Sequence, residues 1–236
     1  MPSLIETKVL VLIAIYSNDE SGLSLVAKFL IADDHPLFRE ALISALRPLF
    51  ENVDIIQSNS LKSTLEALKE HSDFDLVLLD LNMPGCDSFY GLIRVSQDFP
   101  EVSVAVVSAS DSVEVVSKVM NLGAKGFIPK ATSTAIIADA LQQIMDGKNW
   151  LPEGMQTSDE SDAPVIDIAK LVGELTPKQF QVLQLLQNGL LNKQIAFDLQ
   201  ITEATVKAHI SGVFRKLNVH TRTQAVLLLK NLDIVG

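Results

Sequence analysis

The chain has little of what secreted or membrane-spanning proteins depend on. Its 236 residues include one cysteine, Cys86, which excludes an intramolecular disulfide and is typical of a reducing cytoplasm. Aromatic residues make up only 6% of the sequence, with two tyrosines and one tryptophan. The longest purely apolar run, Val9 to Tyr16, is far shorter than the roughly 18 residues that a transmembrane helix requires. We therefore expect a cytoplasmic protein without a membrane partner.

Acidic residues outnumber basic ones, but the two are distributed unevenly. The formal net charge of the whole chain is −10. Residues 26–150 carry −7 and residues 151–173 carry −4, whereas residues 174–236 carry +3. A chain of this length suits two domains. An acidic front part and a basic tail favour contact with nucleic acid at the tail alone.

Apolar runs and amphipathic stretches alternate over the first 150 residues. We predict strands near residues 28–32, 53–57, 75–79, 103–108 and 125–128. We predict helices near residues 36–48, 60–71, 87–97, 111–122 and 133–146. Strands that alternate with helices in this way predict an α/β fold, a doubly wound parallel sheet of five strands with helices on both faces.

Three carboxylates follow two of these predicted strands. The apolar run 29–32 leads into Asp33 and Asp34, and the run 76–79 leads into Asp80. Ligands of parallel α/β sheets bind at the carboxyl ends of the strands, so we expect these side chains to converge there. Converging carboxylates repel one another unless a cation lies between them, and Mg²⁺ prefers such oxygen ligands. An accessible carboxylate beside the metal is suited to forming an aspartyl phosphate as the nucleophile.

Two further elements follow in order. Ser108-Ala109 comes after the fourth predicted strand, and Lys130 ends the segment 126–130. Together with the three carboxylates, they make residues 27–147 resemble the receiver domain of a bacterial two-component response regulator. The resemblance implies a flavodoxin-like fold and a sensor histidine kinase as the partner that donates a phosphoryl group.

The resemblance also implies a role for each site residue. Asp80 is the phosphoacceptor, and Ser108 and Lys130 contact the phosphoryl group. Mg²⁺ is held by Asp33, Asp34, Asp80 and the backbone carbonyl of Asn82. Ser108 and Phe127 are the switch residues that respond to phosphorylation. Lysine suits this role because it supplies a compact positive charge, and a serine hydroxyl can rotate to follow a phosphoryl oxygen.

Each residue also has an ordinary structural interpretation. Asp33 and Asp34 could cap the helix that begins near Pro36, and Lys130 could be a solvated loop lysine. The ordered set favours the phosphoryl site over these separate explanations. An enzyme with an Asp nucleophile, such as a Mg²⁺-dependent phosphatase or phosphotransferase, is the alternative class. It would need a second acid two residues after the nucleophile, and that position is Asn82, so we expect a regulator and no enzyme.

The domain boundaries follow from these elements. We place the receiver at residues 26–147, a linker at 148–173 and a second, all-α domain at 174–236. Residues 1–25 precede the usual start of a receiver, and Val26 stands where an initiator residue is expected. We interpret this segment as untranslated upstream sequence or a non-standard extension. Within the linker, the polar segment 156–162 is expected to be flexible, and 165–171 to form a short docking helix.

The tail is predicted to contain four helices. Capping boxes at Thr176–Gln179 and Thr221–Gln224 open the first and the last of them. The two between, near 192–199 and 202–217, are joined by a tight turn, which predicts a helix-turn-helix. The final helix, over 221–234, carries an apolar run and is the expected dimerisation surface.

The third tail helix has one apolar face and one small polar face. Val206, Ile210, Val213 and Leu217 repeat at helical spacing, so we expect them in the core. The opposite face can enter a major groove, where Lys207 reaches base acceptors. The predicted DNA contacts are Lys193, Thr202, Thr205, Lys207, Ala208, Ser211, Arg215, Lys216 and Arg222. The alternative is an ordinary helical domain with solvated lysines.

Three segments of the tail carry a second resemblance. Leu175-Thr176-Pro177, residues 192–196 and residues 205–209 resemble the LuxR/NarL-type DNA-binding domain over its whole length. Leu191 departs from it, since the family often has serine there, which weakens the cap of the short helix. The resemblance implies a regulator that controls transcription at promoter DNA as a homodimer. It also implies that the unphosphorylated receiver masks the basic domain until phosphorylation frees it.

Overall fold

The first domain is built on one parallel sheet. The computed structural model describes residues 26–86, 89–155 and 163–231. The strands are β1 (Ala27–Ala32), β2 (Val53–Ser58), β3 (Leu76–Asp80), β4 (Val104–Ser108) and β5 (Gly126–Pro129). They lie in the order β2-β1-β3-β4-β5, and every neighbouring pair is parallel. All five predicted strands are confirmed, with ends that differ by one residue at most.

Five helices cover the two faces of this sheet. They are α1 (Pro36–Leu46), α2 (Leu61–Glu70), α3 (Tyr90–Asp98), α4 (Val113–Asn121) and α5 (Thr134–Met145), with a short 3-10 helix over Arg47–Leu49. Alternate residues of each strand enter different cores. Phe29 and Ile31 pack in the cluster that includes α1 and α5, whereas Leu30 and Ala32 pack in the cluster on the other face. Burial on both faces explains why the strands read as continuous apolar runs.

The sheet gains one more hydrogen-bonded segment after α5. The N–H of Phe127 donates to the carbonyl of Trp150, at 3.1 Å, and the N–H of Trp150 donates to the carbonyl of Lys125, at 3.0 Å. Trp150 and Gly126 form a parallel bridge. The indole is buried in the same cluster as α5. The first domain therefore extends past the predicted boundary at residue 147.

The second domain is helical, as predicted. Its helices are α7 (Pro177–Gln187), α8 (Asn192–Asp198), α9 (Glu203–Lys216) and α10 (Arg222–Asn231), and α6 (Ala163–Gly173) precedes them. Both capping boxes are confirmed: Thr176 and Gln179 exchange hydrogen bonds at the start of α7, and Thr221 and Gln224 do so before α10. Gly189 has φ of +82° where the chain leaves α7, a conformation that favours glycine. α8 and α9 are joined by a short turn, which gives the helix-turn-helix.

The two domains share buried side chains. Helix α6, which lies in the predicted linker, packs against α3 of the first domain, so the expected docking helix is confirmed. Tyr90 on α3 and Phe180 on α7 stack, with ring centroids 4.1 Å apart and an angle of 5° between the rings. One contiguous apolar cluster contains both residues.

Some predictions concern parts of the chain that the structure leaves undescribed. Residues 1–25, the polar linker segment 156–162 and residues 232–234 of the predicted final helix lie outside the described residues. Within the described ranges, no helix has the length and apolar character needed to cross a membrane.

Candidate functional site

The three predicted carboxylates meet at one edge of the sheet. Asp33 follows β1 and Asp80 ends β3, and each is only 1% exposed. Parallel pairing of the two strands brings their carboxyl ends side by side. One ligand atom from each of Asp33, Asp34, His35 and Asp80 lies within 4.8 Å of the others. Carboxylate oxygens dominate this donor set, which fits a hard divalent cation such as Mg²⁺.

Lys130 lies between the two buried carboxylates. Its Nζ is 2.6 Å from Asp33 Oδ2 and 2.8 Å from Asp80 Oδ2, and it stands 5.0 Å above the ring of Phe38. The N–H of Lys130 donates to the carbonyl of Ser108 at 2.8 Å, which fixes the loop after β5 against the end of β4. Burial, the largest influence, lowers the pKa of Lys130, but the hydrogen bonds to Asp33 and Asp80 together raise it above its usual value. The lysine is therefore charged and supplies the positive charge that this pocket needs.

Burial and hydrogen bonds act on the Asp80 carboxylate in opposite directions. Burial raises its pKa, against the lowering effects of Lys130 and of the Asn82 N–H, which donates to Asp80 Oδ1 at 3.1 Å. Ser108 is buried at the end of β4, one residue after Val107, which pairs with Asp80. Its hydroxyl accepts a hydrogen bond from the N–H of Ser110 at 3.2 Å. The structure thus brings Asp33, Asp34, Asp80, Ser108 and Lys130 together.

His35 and Phe38 also lie at this site, and no motif in the sequence predicted them. His35 Nδ1 lies 2.8 Å from Asp34 Oδ1 and 3.2 Å from Asp33 Oδ1, although its side chain is 67% exposed. The only signal in the sequence is its position directly after the acidic pair. An open cavity of about 410 Å³ lies over the site. It is lined by His35, Leu37, Phe38, Asp80, Asn82, Ala109 and Lys130.

The second predicted surface lies on α9. Val206, Val213 and Leu217 are buried and Ile210 is half-buried, as expected for the core face. The opposite face is exposed, with Ala204, Lys207, Ala208 and Ser211 open to solvent. Thr202 caps the helix by accepting a hydrogen bond from the N–H of Thr205 at 3.1 Å, and the two hydroxyls lie 2.8 Å apart. This is the geometry of a recognition helix that can enter a major groove.

Comparison with known proteins assigns both parts of the chain. Residues 29–142 match the family described as "Response regulator receiver domain", and residues 173–229 match "Bacterial regulatory proteins, luxR family". The glycerol metabolism activator of Pseudomonas putida is 41% identical over 215 residues, which cover 89% of this chain and 97% of that protein.

The chain belongs to the family of two-component response regulators with a LuxR-type DNA-binding domain.

Other relatives of this response regulator agree with the assignment. The nitrate/nitrite response regulator protein NarL of Escherichia coli K12 is 30% identical over 203 residues, covering 85% of this chain and 94% of that protein. Among solved structures, RcsB dimers bound to two parallel DNAs match with a TM-score of 0.51 and 22% identity. That match covers 88% of this chain and 100% of the other, and it shows the shared fold.

Two predicted DNA contacts of the response regulator have other partners. Lys216 Nζ donates to the carbonyl of Glu174 at 2.6 Å and to Gln179 Oε1 at 2.9 Å. Arg222 Nη2 donates to the carbonyls of Leu186, at 3.1 Å, and of Leu190, at 2.7 Å. Both side chains hold helices of the domain together, and their contact with phosphates stays a prediction. Lys193, Lys207 and Arg215 are exposed and remain candidates.

The receiver does not cover the recognition helix in this structure, whereas the resemblance implied that the unphosphorylated receiver masks the basic domain. The receiver packs on α6 and on Phe180 of α7, whereas Lys207, Ala208 and Ser211 of α9 are exposed. The acidic receiver and the basic recognition face are thus not in contact through these residues.

The departure at Leu191 has the predicted effect. Its side chain offers no capping oxygen to α8, and its N–H donates to Gln194 Oε1 at 2.7 Å, so only half of a capping box is present. The leucine is 66% exposed. The fold of the helix-turn-helix is nevertheless intact.

Proposed function

We propose that phosphorylation of Asp80 by a partner histidine kinase controls transcription through this response regulator. The observation that carries the proposal is the position of Asp80. Its carboxylate is at the end of β3, beneath an open cavity, with the Lys130 ammonium 2.8 Å away. A nucleophile, a counter-charge and room for a donor group are thus present at one point.

The chemistry assigned to this pocket is a phosphoryl transfer. A carboxylate oxygen of Asp80 attacks the phosphorus of a phosphohistidine, the P–O bond forms, and the P–N bond breaks with the imidazole leaving. Lys130 pairs with the transferred group, which adds negative charge beside Asp33. Ser108 lies on the neighbouring strand, where rotation of its hydroxyl can direct a hydrogen bond to a phosphoryl oxygen.

Asp33, Asp34, Asp80 and the backbone carbonyl of Asn82 are the groups that would hold Mg²⁺. When bound, the ion supplies positive charge that offsets the carboxylates and the phosphoryl oxygens. The chain's own contribution is to keep those carboxylates converged, with Lys130 between two of them. Ser108 and Phe127 are proposed as switch residues, and Phe127 is fully buried on the face of the sheet that α4 covers.

The tail is proposed to bind promoter DNA as a homodimer. Lys207 reaches base edges, and Lys193 and Arg215 contact phosphates, with Thr202, Thr205, Ala208 and Ser211 lining the same surface. Leu227 of α10 is an exposed leucine on the proposed dimerisation helix. We place the receiver at 26–147, with the segment around Trp150 completing its sheet, and this domain at 174–236. The family matches over 29–142 and 173–229 support a division into these two domains. The name of the Pseudomonas putida relative favours activation over repression.

The test is phosphorylation of the full chain with Mg²⁺ and acetyl phosphate. We expect one base-labile phosphoryl group, which mass spectrometry of the peptides places on Asp80. Asp80→Ala should abolish it, whereas Asp111→Ala is the matched control because Asp111 is exposed in the loop before α4. A phosphoryl group that persists in Asp80→Ala would contradict the assignment.

A further inference from the structure

His35 places a nitrogen donor at the rim of the carboxylate pocket, and the proposed phosphoryl transfer gives this side chain no role. Its Nδ1 lies 2.8 Å from Asp34 Oδ1 and 3.2 Å from Asp33 Oδ1. A hydrogen bond with Asp33 accounts for the longer contact. It does not account for the shorter one, because Asp34 Oδ1 is buried and no described residue donates a hydrogen bond to it. Neighbouring ligands of one metal ion are placed side by side in this way.

The backbone holds the imidazole in this position. The His35 N–H donates to Asp33 Oδ1 at 2.8 Å, and His35 has the extended conformation that a following proline favours. Arg39 Nη1 donates to the Asp33 carbonyl at 2.7 Å, while Arg39 Nε donates to Gln57 Oε1 at 2.8 Å. Segment 33–35 is therefore fixed between α1 and β2, and the imidazole, 67% exposed, can be reached by an ion from solvent.

Lys130 and His35 use different oxygen atoms of Asp33. The Lys130 ammonium lies at Asp33 Oδ2 and Asp80 Oδ2, whereas the imidazole lies at Asp33 Oδ1 and Asp34 Oδ1. One donor atom from each of Asp33, Asp34, His35 and Asp80 lies within 4.8 Å of the others. Four side chains can thus turn a donor atom towards one point while Lys130 keeps its own contacts.

This donor set suits two kinds of ion. Mg²⁺ prefers oxygen ligands in octahedral geometry and has no need of the imidazole. Zn²⁺ takes nitrogen and oxygen ligands at about 2.0–2.2 Å, commonly four of them in a tetrahedron, which places the ligand atoms roughly 3.3–3.6 Å apart. The two contacts of His35 Nδ1, at 2.8 and 3.2 Å, are close to that spacing. A small convergence of the four donor atoms would complete a zinc site.

We propose that this pocket also takes Zn²⁺, with His35 as the fourth side-chain ligand beside Asp33, Asp34 and Asp80, and that the bound Zn²⁺ prevents phosphorylation of Asp80. The second part rests on the proposed function. Octahedral Mg²⁺ has positions left for phosphoryl oxygens, whereas four side chains complete a tetrahedral Zn²⁺. The zinc-filled pocket then has no open position for the incoming group, and the Asp80 carboxylate that must attack phosphorus is itself a ligand.

Isothermal titration of the full chain with Zn²⁺, and separately with Mg²⁺, tests the ligand without any phosphodonor. His35→Gln should raise the dissociation constant of Zn²⁺ at least about tenfold and that of Mg²⁺ by less than about twofold. His71→Gln is the matched control, because His71 lies 3.4 Å from Lys28 at the opposite end of β1. It should leave both constants unchanged. Equal Zn²⁺ affinity in His35→Gln and the parent chain would overturn the site, and so would an equal loss of both ions.

Two measurements separate ligation from a merely structural effect of His35. X-ray absorption of the zinc-loaded parent chain should show an imidazole ligand that is missing in His35→Gln. Because His35 is exposed, the variant should remain folded by circular dichroism. Asp80→Ala should weaken the binding of both ions, since they share the pocket. An imidazole signal that persists in His35→Gln, or Zn²⁺ affinity that is unchanged in Asp80→Ala, would place the ion elsewhere and refute the proposal.

The inhibition is measured with acetyl phosphate at a fixed Mg²⁺ concentration and rising free Zn²⁺. Mass spectrometry should show that phosphorylation of the parent chain falls as Zn²⁺ fills the pocket, and that His35→Gln needs at least about tenfold more free Zn²⁺ for the same loss. Undiminished phosphorylation of a zinc-filled chain would refute the inhibition and leave the proposed function intact. If Mg²⁺ alone gives no phosphorylation, the proposed function and the inhibition both fail, while the titrations still decide whether His35 is a zinc ligand.

Discussion

Replacing Arg222 by alanine tests whether this cation stabilises the domain or contacts DNA. Its guanidinium donates to two backbone carbonyls, Leu186 and Leu190, where α7 ends and the chain turns towards α8. A hydrogen bond to a charged group is worth about 1.5–3 kcal/mol, and because Arg222 is partly exposed we expect about 2–3 kcal/mol for the pair. For a chain of this size, that loss lowers the melting temperature by about 4–12 °C.

The assay pairs thermal unfolding by circular dichroism with DNA affinity measured well below the melting temperature. Arg215→Ala is the matched control, because Arg215 is an exposed arginine on α9. We expect Arg222→Ala to have a lower melting temperature, whereas the DNA affinity of the folded protein should depend on salt concentration as it does in the parent chain. Arg215→Ala should keep the melting temperature of the parent chain. Its plot of log DNA affinity against log salt concentration should be shallower by about one unit of slope. An Arg222→Ala protein of normal stability with a reduced salt slope would refute this reasoning.

Three further results are expected. Lys207→Ala should cost about 1–3 kcal/mol of DNA affinity and relax sequence preference, as measured by titration of matched and mismatched sites. Leu191→Ser should add the missing cap of α8 and raise stability by about 1 kcal/mol in denaturant unfolding, and no gain would mean that another group already satisfies that helix end. Burial raises the pKa of Asp80. The protonated carboxyl is therefore favoured in the folded chain, so the free energy of unfolding is higher at low pH and falls as the pH rises through the folded pKa of Asp80. Asp80→Asn should therefore unfold at a higher temperature than the parent chain at neutral pH without Mg²⁺, and its advantage should shrink on acidification.

Features set by neighbours in sequence were predictable. An apolar run that ends in Asp33 or Asp80 specifies a buried strand and the edge where its carboxylate emerges. Capping boxes depend on residues three positions apart, and both of those predicted at Thr176 and Thr221 formed. Alternation of strands and helices was enough to predict the sheet, because parallel strands require crossover helices.

Features set by distant partners were not predictable. The carbonyl partners of Lys216 and Arg222 could not be predicted, because a charge in the sequence does not reveal which carbonyl lies within its reach. Phe180 is buried on α7, but its partner Tyr90 lies in the other domain and follows no local pattern. That pair is part of the packing of the receiver on α6 and α7, which leaves the recognition helix exposed.

The segment around Trp150 has a practical consequence for anyone who separates the domains. Because its backbone bonds to Lys125 and Phe127, a receiver cut at residue 147 would leave one side of β5 unpaired. An unpaired edge strand is a template for another chain, so the shortened receiver is at risk of self-association that the intact protein avoids. Dimers formed by such a fragment would then result from the truncation and would not be evidence of dimerisation caused by phosphorylation. Fragments that extend to residue 155 keep this strand partner.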